Sequence, residues 1–261
     1  MRLSASCIVG FVLGVTQLQD VVYVSVSSSI LRFDATTRQR LADIDVKDLK
    51  DTHYIVACEQ TSRLYVATVD DCVWRMSADG ADVKLLLPKS RLKGLKLCSL
   101  SVTSTRPLVT LRNACQLIQL DARGGELRRV QLPRYMDPWH AEESPTGTFI
   151  VSLYNRDLEQ HQVSEVNTNG EVLRQFSGSR LPSPDWLHHI AVDSDGDVFV
   201  ADFHNRQVLL LDAQLTLRRV IIDDRQLQNF ERPQSLCYIE RTGELLVGLD
   251  YSVKVFSVML C

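Results

Sequence analysis

His140 and His189 each stand directly before a short apolar run, His140-Ala141 and His189-Ile190-Ala191-Val192, so two imidazoles occupy equivalent points of a repeated unit. A pair of imidazoles can begin a metal site, but a catalytic zinc needs a third protein ligand and an open position. The matching places elsewhere, read from spacing as Leu13, Ile55, Cys98 and Ser235, supply no carboxylate. The expectation is no metal, with the two histidines at the rim of a channel and bonded to backbone. Asp193-Ser194-Asp195-Gly196 resembles the start of a calcium loop but lacks the later ligands and the closing Glu, so it reads as a turn. Neither a G-x-S-x-G elbow, a P-loop nor an H-E-x-x-H pair occurs. No catalytic residue, cofactor or small-molecule substrate is assigned.

Cysteine and charge point the same way. Cys7, Cys58, Cys72, Cys98, Cys115, Cys237 and Cys261 are scattered with no C-x-x-C pair, which gives no zinc framework and reads as reduced, mostly buried thiols. That usage places the chain in the cytoplasm. Net charge is −3, so nothing global draws it to nucleic acid or an anionic membrane. One basic cluster, Lys89, Arg91, Lys93 and Lys96, has the residue types for phosphate contact and leaves RNA as an alternative partner. Asp70 and Asp71 lie on the same side, and a solvated loop explains the cluster as well.

These residues need a scaffold, and the chain repeats itself. Strand-like runs recur at 21–26, 63–68, 107–111, 148–153, 197–202 and 244–249, and their centres step by 42, 43, 42, 49 and 47 residues. That period suits a four-stranded propeller blade and is too long for ankyrin or leucine-rich repeats. Helical periodicity is hard to find, so the fold class is all-β: a six-bladed β-propeller with four-stranded blades, one domain over residues 1–261. Blade five is the clearest unit, with strands at 189–192, 197–202, 207–212 and 217–222.

In blade five, His189-Ile190-Ala191-Val192-Asp193, Asp195-Gly196, Val200-Ala201-Asp202, Asn205 and Val208 together resemble an NHL repeat. Asn205-Arg206-Gln207-Val208 keeps the family's Asn and Val but not its intervening His and Arg. Blade four keeps Pro138-Trp139-His140 and Asn155, blade six keeps Arg232-Pro233 and the Gly243 turn, and the other blades keep spacing and hydrophobicity. The resemblance implies an interaction module similar to the NHL domains of tripartite-motif proteins, with a protein partner favoured and RNA second. Enzymes of related shape, the propeller lyases and lactonases, would need channel ligands that the spacing does not supply.

In an antiparallel meander the connections between blades share a face with those joining second to third strands. Arg156, Arg180, Trp186, His204, Arg206, Phe230 and Arg232 fall there, and arginine with aromatics is the composition that anchors interfaces. The N-terminus has two readings. Leu3 to Val9 could complete blade six as its outer strand, or Met1 to Val15 could be a secretory leader, which would make the chain secreted. The strand is preferred because blade six otherwise runs out of chain after its third strand. No run is long enough for a bilayer-spanning helix of about 20 residues.

Overall fold

Apolar side chains on both faces of a strand need a sheet on either side of it. The second strands of the repeat meet that demand. β3 (Val21–Val26), β6 (Arg63–Thr68), β10 (Arg106–Leu111), β14 (Phe149–Asn155), β18 (Val198–Asp202) and β22 (Glu244–Leu249) are buried along nearly their whole length. The computed structural model describes residues 2–8, 11–27, 29–45, 49, 51–177, 187–227 and 231–258. It contains six antiparallel sheets.

Blade one holds β2 (Val12–Leu18), β3 and β4 (Ser29–Asp34). Blade two runs β5 (Thr52–Cys58), β6, β7 (Val73–Ser77) and β8 (Lys84–Leu87). Blade three runs β9 (Leu97–Thr103), β10, β11 (Gln116–Leu120) and β12 (Glu126–Gln131). Blade four is β13 (Met136–Glu143), β14, β15 (Gln160–Val166) and β16 (Val172–Ser177). Blade five is β17 (Leu187–Val192), β18, β19 (Gln207–Leu211) and β20 (Leu217–Ile222). Blade six is β21 (Pro233–Ile239), β22 and β23 (Ser252–Ser257), with β1 (Arg2–Ile8) antiparallel to β23 as its fourth strand. The apolar interior is correspondingly divided into six clusters, one between each pair of adjacent blades.

Blade one departs from the expected four strands. Its outer place is taken by a segment that pairs with β4 through the isolated bridges Ile30–Ile44 and Phe33–Arg40 rather than as a continuous strand. Ile44 is buried in the junction with blade two, against Gly80, which draws the segment off a straight ladder.

All six inner strands carry a register shift near their start, between Val12 and Gly14, Thr52 and Tyr54, Leu97 and Ser99, Pro138 and His140, Leu187 and Ile190, and Pro233 and Ser235. A bulge adds one residue and re-aims the side chains around it. The residues level with His140 and His189 are consequently Gly14, Tyr54, Ser99 and Ser235. Simple spacing had pointed to Leu13, Ile55 and Cys98, each one residue away.

Tight turns close the opposite face. In the third-to-fourth-strand turns Asp121, Asn167 and Asp212 each accept backbone N–H bonds from the residues two and four places on. Asp193 does the same in the first turn of blade five, so this segment is a turn as its composition implied. Gly170, at φ 84° in the blade-four turn, lies where a Cβ would sit 1.9 Å from the Gln131 carbonyl oxygen of blade three.

Deleting residues 1–9 would uncover β23, which pairs with β1 from Arg2↔Ser257 to Ile8↔Ser252. An open strand edge is both a stability loss and an aggregation template. The truncated protein should melt markedly lower than the full chain, or aggregate. An unchanged melting temperature in differential scanning fluorimetry would show that this pairing contributes nothing to the fold.

Candidate functional site

The inner strands line a central channel, and its upper level, the end where those strands begin, is filled by rings. His140 and His189 pack with centroids 3.8 Å apart and planes tilted by 31°, and Tyr54 reaches from blade two to within 6.3 Å of the His189 ring. The Nδ1 of His189 accepts the Leu236 N–H at 3.3 Å, which fixes its tautomer. Both ring nitrogens of His140 are buried without a hydrogen-bond partner among the described residues. Burial, helped by the adjacent imidazole of His189, holds the pKa of His140 well below 6.5 against a weak opposite pull from the Leu100 backbone. Among the described residues no group of three or more His, Cys, Asp or Glu is placed to hold an ion.

One level down, the channel side chains bond to backbone. Glu142 Oε2 accepts the Val192 N–H at 2.9 Å, Thr16 Oγ1 accepts the Ala57 N–H at 3.1 Å, and Ser101 donates to the Ala141 carbonyl at 2.7 Å. Burial raises the Glu142 carboxyl from 4.5 to about 8, and the Val192 bond only partly opposes this. Burial likewise pushes the thiols of Cys98 and Cys237 up to about 12 and about 11. Thiols held so far above neutrality are poor nucleophiles. Glu142, Thr16 and Ser101 are thus engaged in holding neighbouring strands, whereas the His140 ring is not.

The upper rim is different in character. Arg112 stacks on Trp139, its guanidinium carbon 3.7 Å from the ring centroid, while gripping Asp137 through two bonds of 2.9 and 2.8 Å. Arg156 reaches the same carboxylate at 3.5 Å and is exposed. At the blade five–six boundary Arg232 lies 5.0 Å over Phe203, and His204 packs edge-on against Phe203 at 5.2 Å. Asp202 accepts bonds from the Asn205 and Gln207 side chains, closing the turn that holds Arg206 at φ 51° beside Asp224. The motif positions that carry the NHL resemblance are thus turn-closing groups. Between blades six and one, Phe11 and Tyr251 meet edge-to-face at 5.9 Å although 44% and 60% exposed.

The structure therefore gathers His204, Arg206 and Arg232 at one corner and sets Arg156 at another. Arg180, Trp186 and Phe230 lie outside the described residues. The basic cluster is partly spent: Lys89 pairs with Asp71 at 3.5 Å and Arg91 donates to the Gly124 carbonyl, while Lys93 and Lys96 are exposed. Lys89 and Arg91 belong to a single helical turn, Lys89–Leu92, where the sequence reading had a loop. Arg112, Asp137, Phe203, Phe11 and Tyr251 were not singled out from the sequence, and Trp139 entered only as part of the Pro138-Trp139-His140 resemblance, without a place at the rim.

This geometry is shared with solved proteins. The chain is a six-bladed β-propeller. It superposes on the WD40 β-propeller domain of Doa1 with a TM-score of 0.69 at 15% identity, covering 99% of this chain and 97% of that one. A protein of unknown function from Bacteroides caccae gives a TM-score of 0.65 at 14% identity over 86% and 81% of the two chains. The β-propeller domain of Cps50 (Swd1) from Myceliophteria thermophila gives 0.63 at 12% identity over 95% and 83%. At such identities the likeness speaks for the fold alone. No family model and no curated protein matches the sequence. Among the described residues no helix is long and apolar enough to cross a membrane.

The raised Glu142 pKa makes a pH prediction. The folded protein holds this proton more tightly than the unfolded chain, so stability contributed by the neutral carboxyl is present below 4.5 and lost as pH rises through about 8. Glu142→Gln keeps an acceptor for the Val192 N–H and removes the titration. Its stability relative to wild type should grow between those limits, by on the order of 5 kcal/mol, and be level above them. Urea melts across the pH range read this directly, and a pH-independent difference would refute it.

Proposed function

We propose that the chain is a non-catalytic interaction module whose upper rim binds a protein partner. The observation that carries this reading is the clustering on one rim of Arg112 on Trp139, Arg232 on Phe203, and the exposed Phe11–Tyr251 pair. Exposed aromatics and preorganised guanidinium groups lose little entropy on binding and contribute most of the energy of protein interfaces. Sequence resemblance of blade five to an NHL repeat supports the same reading, as does the engagement of Thr16, Ser101, Glu142 and His189 in the channel with the backbone of the next blade. A cytoplasmic setting agrees with the free thiols of Cys58, Cys72, Cys98, Cys115 and Cys237.

Affinity capture from the native source, with and without nuclease, tests the proposal. Nuclease-resistant capture of a defined polypeptide is expected. Trp139→Ala with Arg112→Ala should weaken it by at least about 30-fold, as for loss of a central interface anchor. Exposed Lys93→Glu with Lys96→Glu should leave it intact. Capture abolished by nuclease or by the lysine variants would move the site to RNA, and turnover of a substrate would replace the reading altogether.

A further inference from the structure

At the upper end of the channel two bases share one enclosed space. His140 and His189 are both buried, with ring centroids 3.8 Å apart. We infer that this pair is an acid-operated latch on the upper rim, closed while both rings are neutral and opened when they take up protons. The latch matters for binding only if that rim is the partner surface, so in this respect it rests on the function proposed above.

Neither ring can accept a proton and keep its place. A charge on His140 would be buried. Among the described residues neither of its nitrogens has a hydrogen-bond partner, and the Leu100 backbone offers only a weak pull. His189 accepts the Leu236 N–H at 3.3 Å on Nδ1. A proton there would set two N–H groups against each other and break the bond from blade five to blade six. Two charged rings at 3.8 Å would also repel.

Among the described residues the surrounding strands bring no free counter-charge. β5 brings Tyr54 and, packed on it at 4.6 Å, a third base in His53, held below 6.5 mainly by burial against the pull of Asp71. β9 and β21 bring Cys98 and Cys237, thiols that burial keeps protonated. Blade four adds His161 against Tyr154 at 5.1 Å, and Glu142, whose carboxyl is neutral in acid. Asp137 is occupied by Arg112 and Arg156, and Asp202 by the Asn205 and Gln207 side chains.

The pair also stands between the two stacked arginines. His140 follows the bulge that carries Trp139, the platform under Arg112, and its N–H bonds Ser152 Oγ at 3.2 Å. Leu236 belongs to β21, which begins directly after Arg232, the residue lying over Phe203. Parting the rings would loosen both clusters together. Burial and the neighbouring imidazole hold His140 well below its ordinary 6.5. The closed form therefore keeps its advantage above that value and loses it as pH falls, by about tenfold per pH unit for each proton taken up on opening.

Hydrogen exchange of the full chain, scaled to the intrinsic rate at each pH, reads the latch at the starts of β13 and β21. His140→Phe keeps a ring against His189 and brings no base. His189→Asn keeps an acceptor for the Leu236 N–H and has no proton to gain. Comparing wild type with each variant at the same pH cancels Glu142, which titrates in this range with the opposite sign. Between about pH 7.5 and about 5.5, wild type should lose about tenfold in protection there relative to His140→Phe, while β6 and β10 keep theirs. His189→Asn should resist acid likewise, and decides the matter if the first variant does not fold. Capture of the partner should fail in acid for wild type and persist for the variants. Equal acid dependence in wild type and both variants, or loss spread evenly over all six blades, would overturn the latch. A latch that opens while capture survives acid would instead overturn the rim as the binding surface.

Discussion

The inner edge of every blade presents a row of backbone N–H and C=O groups to a narrow channel with no further strand to pair them, and the ring depends on how those groups are satisfied. Unpaired buried backbone is too costly to leave alone. Each blade answers with a side chain that bonds the backbone of the next. Ser235 takes the Val15 N–H, Thr16 the Ala57 N–H, Glu142 the Val192 N–H and His189 the Leu236 N–H. Ser101 donates to the Ala141 carbonyl and Cys58 to that of Ser104. Every one of the six junctions is linked in this way, and the same residues account for most of the polar chemistry visible in the channel. The Gly14 position shows how closely the strands approach, since a Cβ there would stand 3.0 Å from the Ile55 nitrogen.

This use of polar side chains accounts for the pKa shifts in the channel through burial. Glu142 and Cys237 are perturbed mainly by burial, with no strong charge partner that would poise them for proton transfer or attack. The Oε2 oxygen of Glu142 is spent on the Val192 N–H of the neighbouring strand.

Architecture was legible in the sequence because the second strands are buried on both faces, and that constraint writes itself as VVYVSV, RLYVAT or ELLVGL at a regular step. The turns were legible for a different reason: Asp193 and Gly196 are chosen by backbone geometry rather than by distant contacts. Three things were not. The inner-strand bulges shift register by one residue, a change that spacing cannot detect, so Tyr54 and Ser99 were missed in favour of Ile55 and Cys98. Blade one's irregular outer segment depends on Ile44 finding the junction with blade two, a tertiary preference. The rim pair of Arg112 and Trp139 joins residues from two blades, and no local pattern announces such a contact.

The contrast between the two rims follows from connectivity. On the lower face the turns are short, fixed by side chains such as Asp121, Asn167 and Asp212 and by left-handed residues at their third or fourth positions. Twist brings these turns against the preceding blade, as the contact of Gly170 with Gln131 shows, so substitutions there strain the ring itself. Upper-face connections between blades are mostly longer, and their described parts anchor to the junctions through single apolar side chains such as Ile44, Leu92 and Leu132. Leu158, Val69 and Tyr251 are about 60% exposed on that side at no cost to a junction. A fold arranged in this way lets exposed side chains vary on one rim, while on the other the close approach of turn and neighbouring blade fixes them.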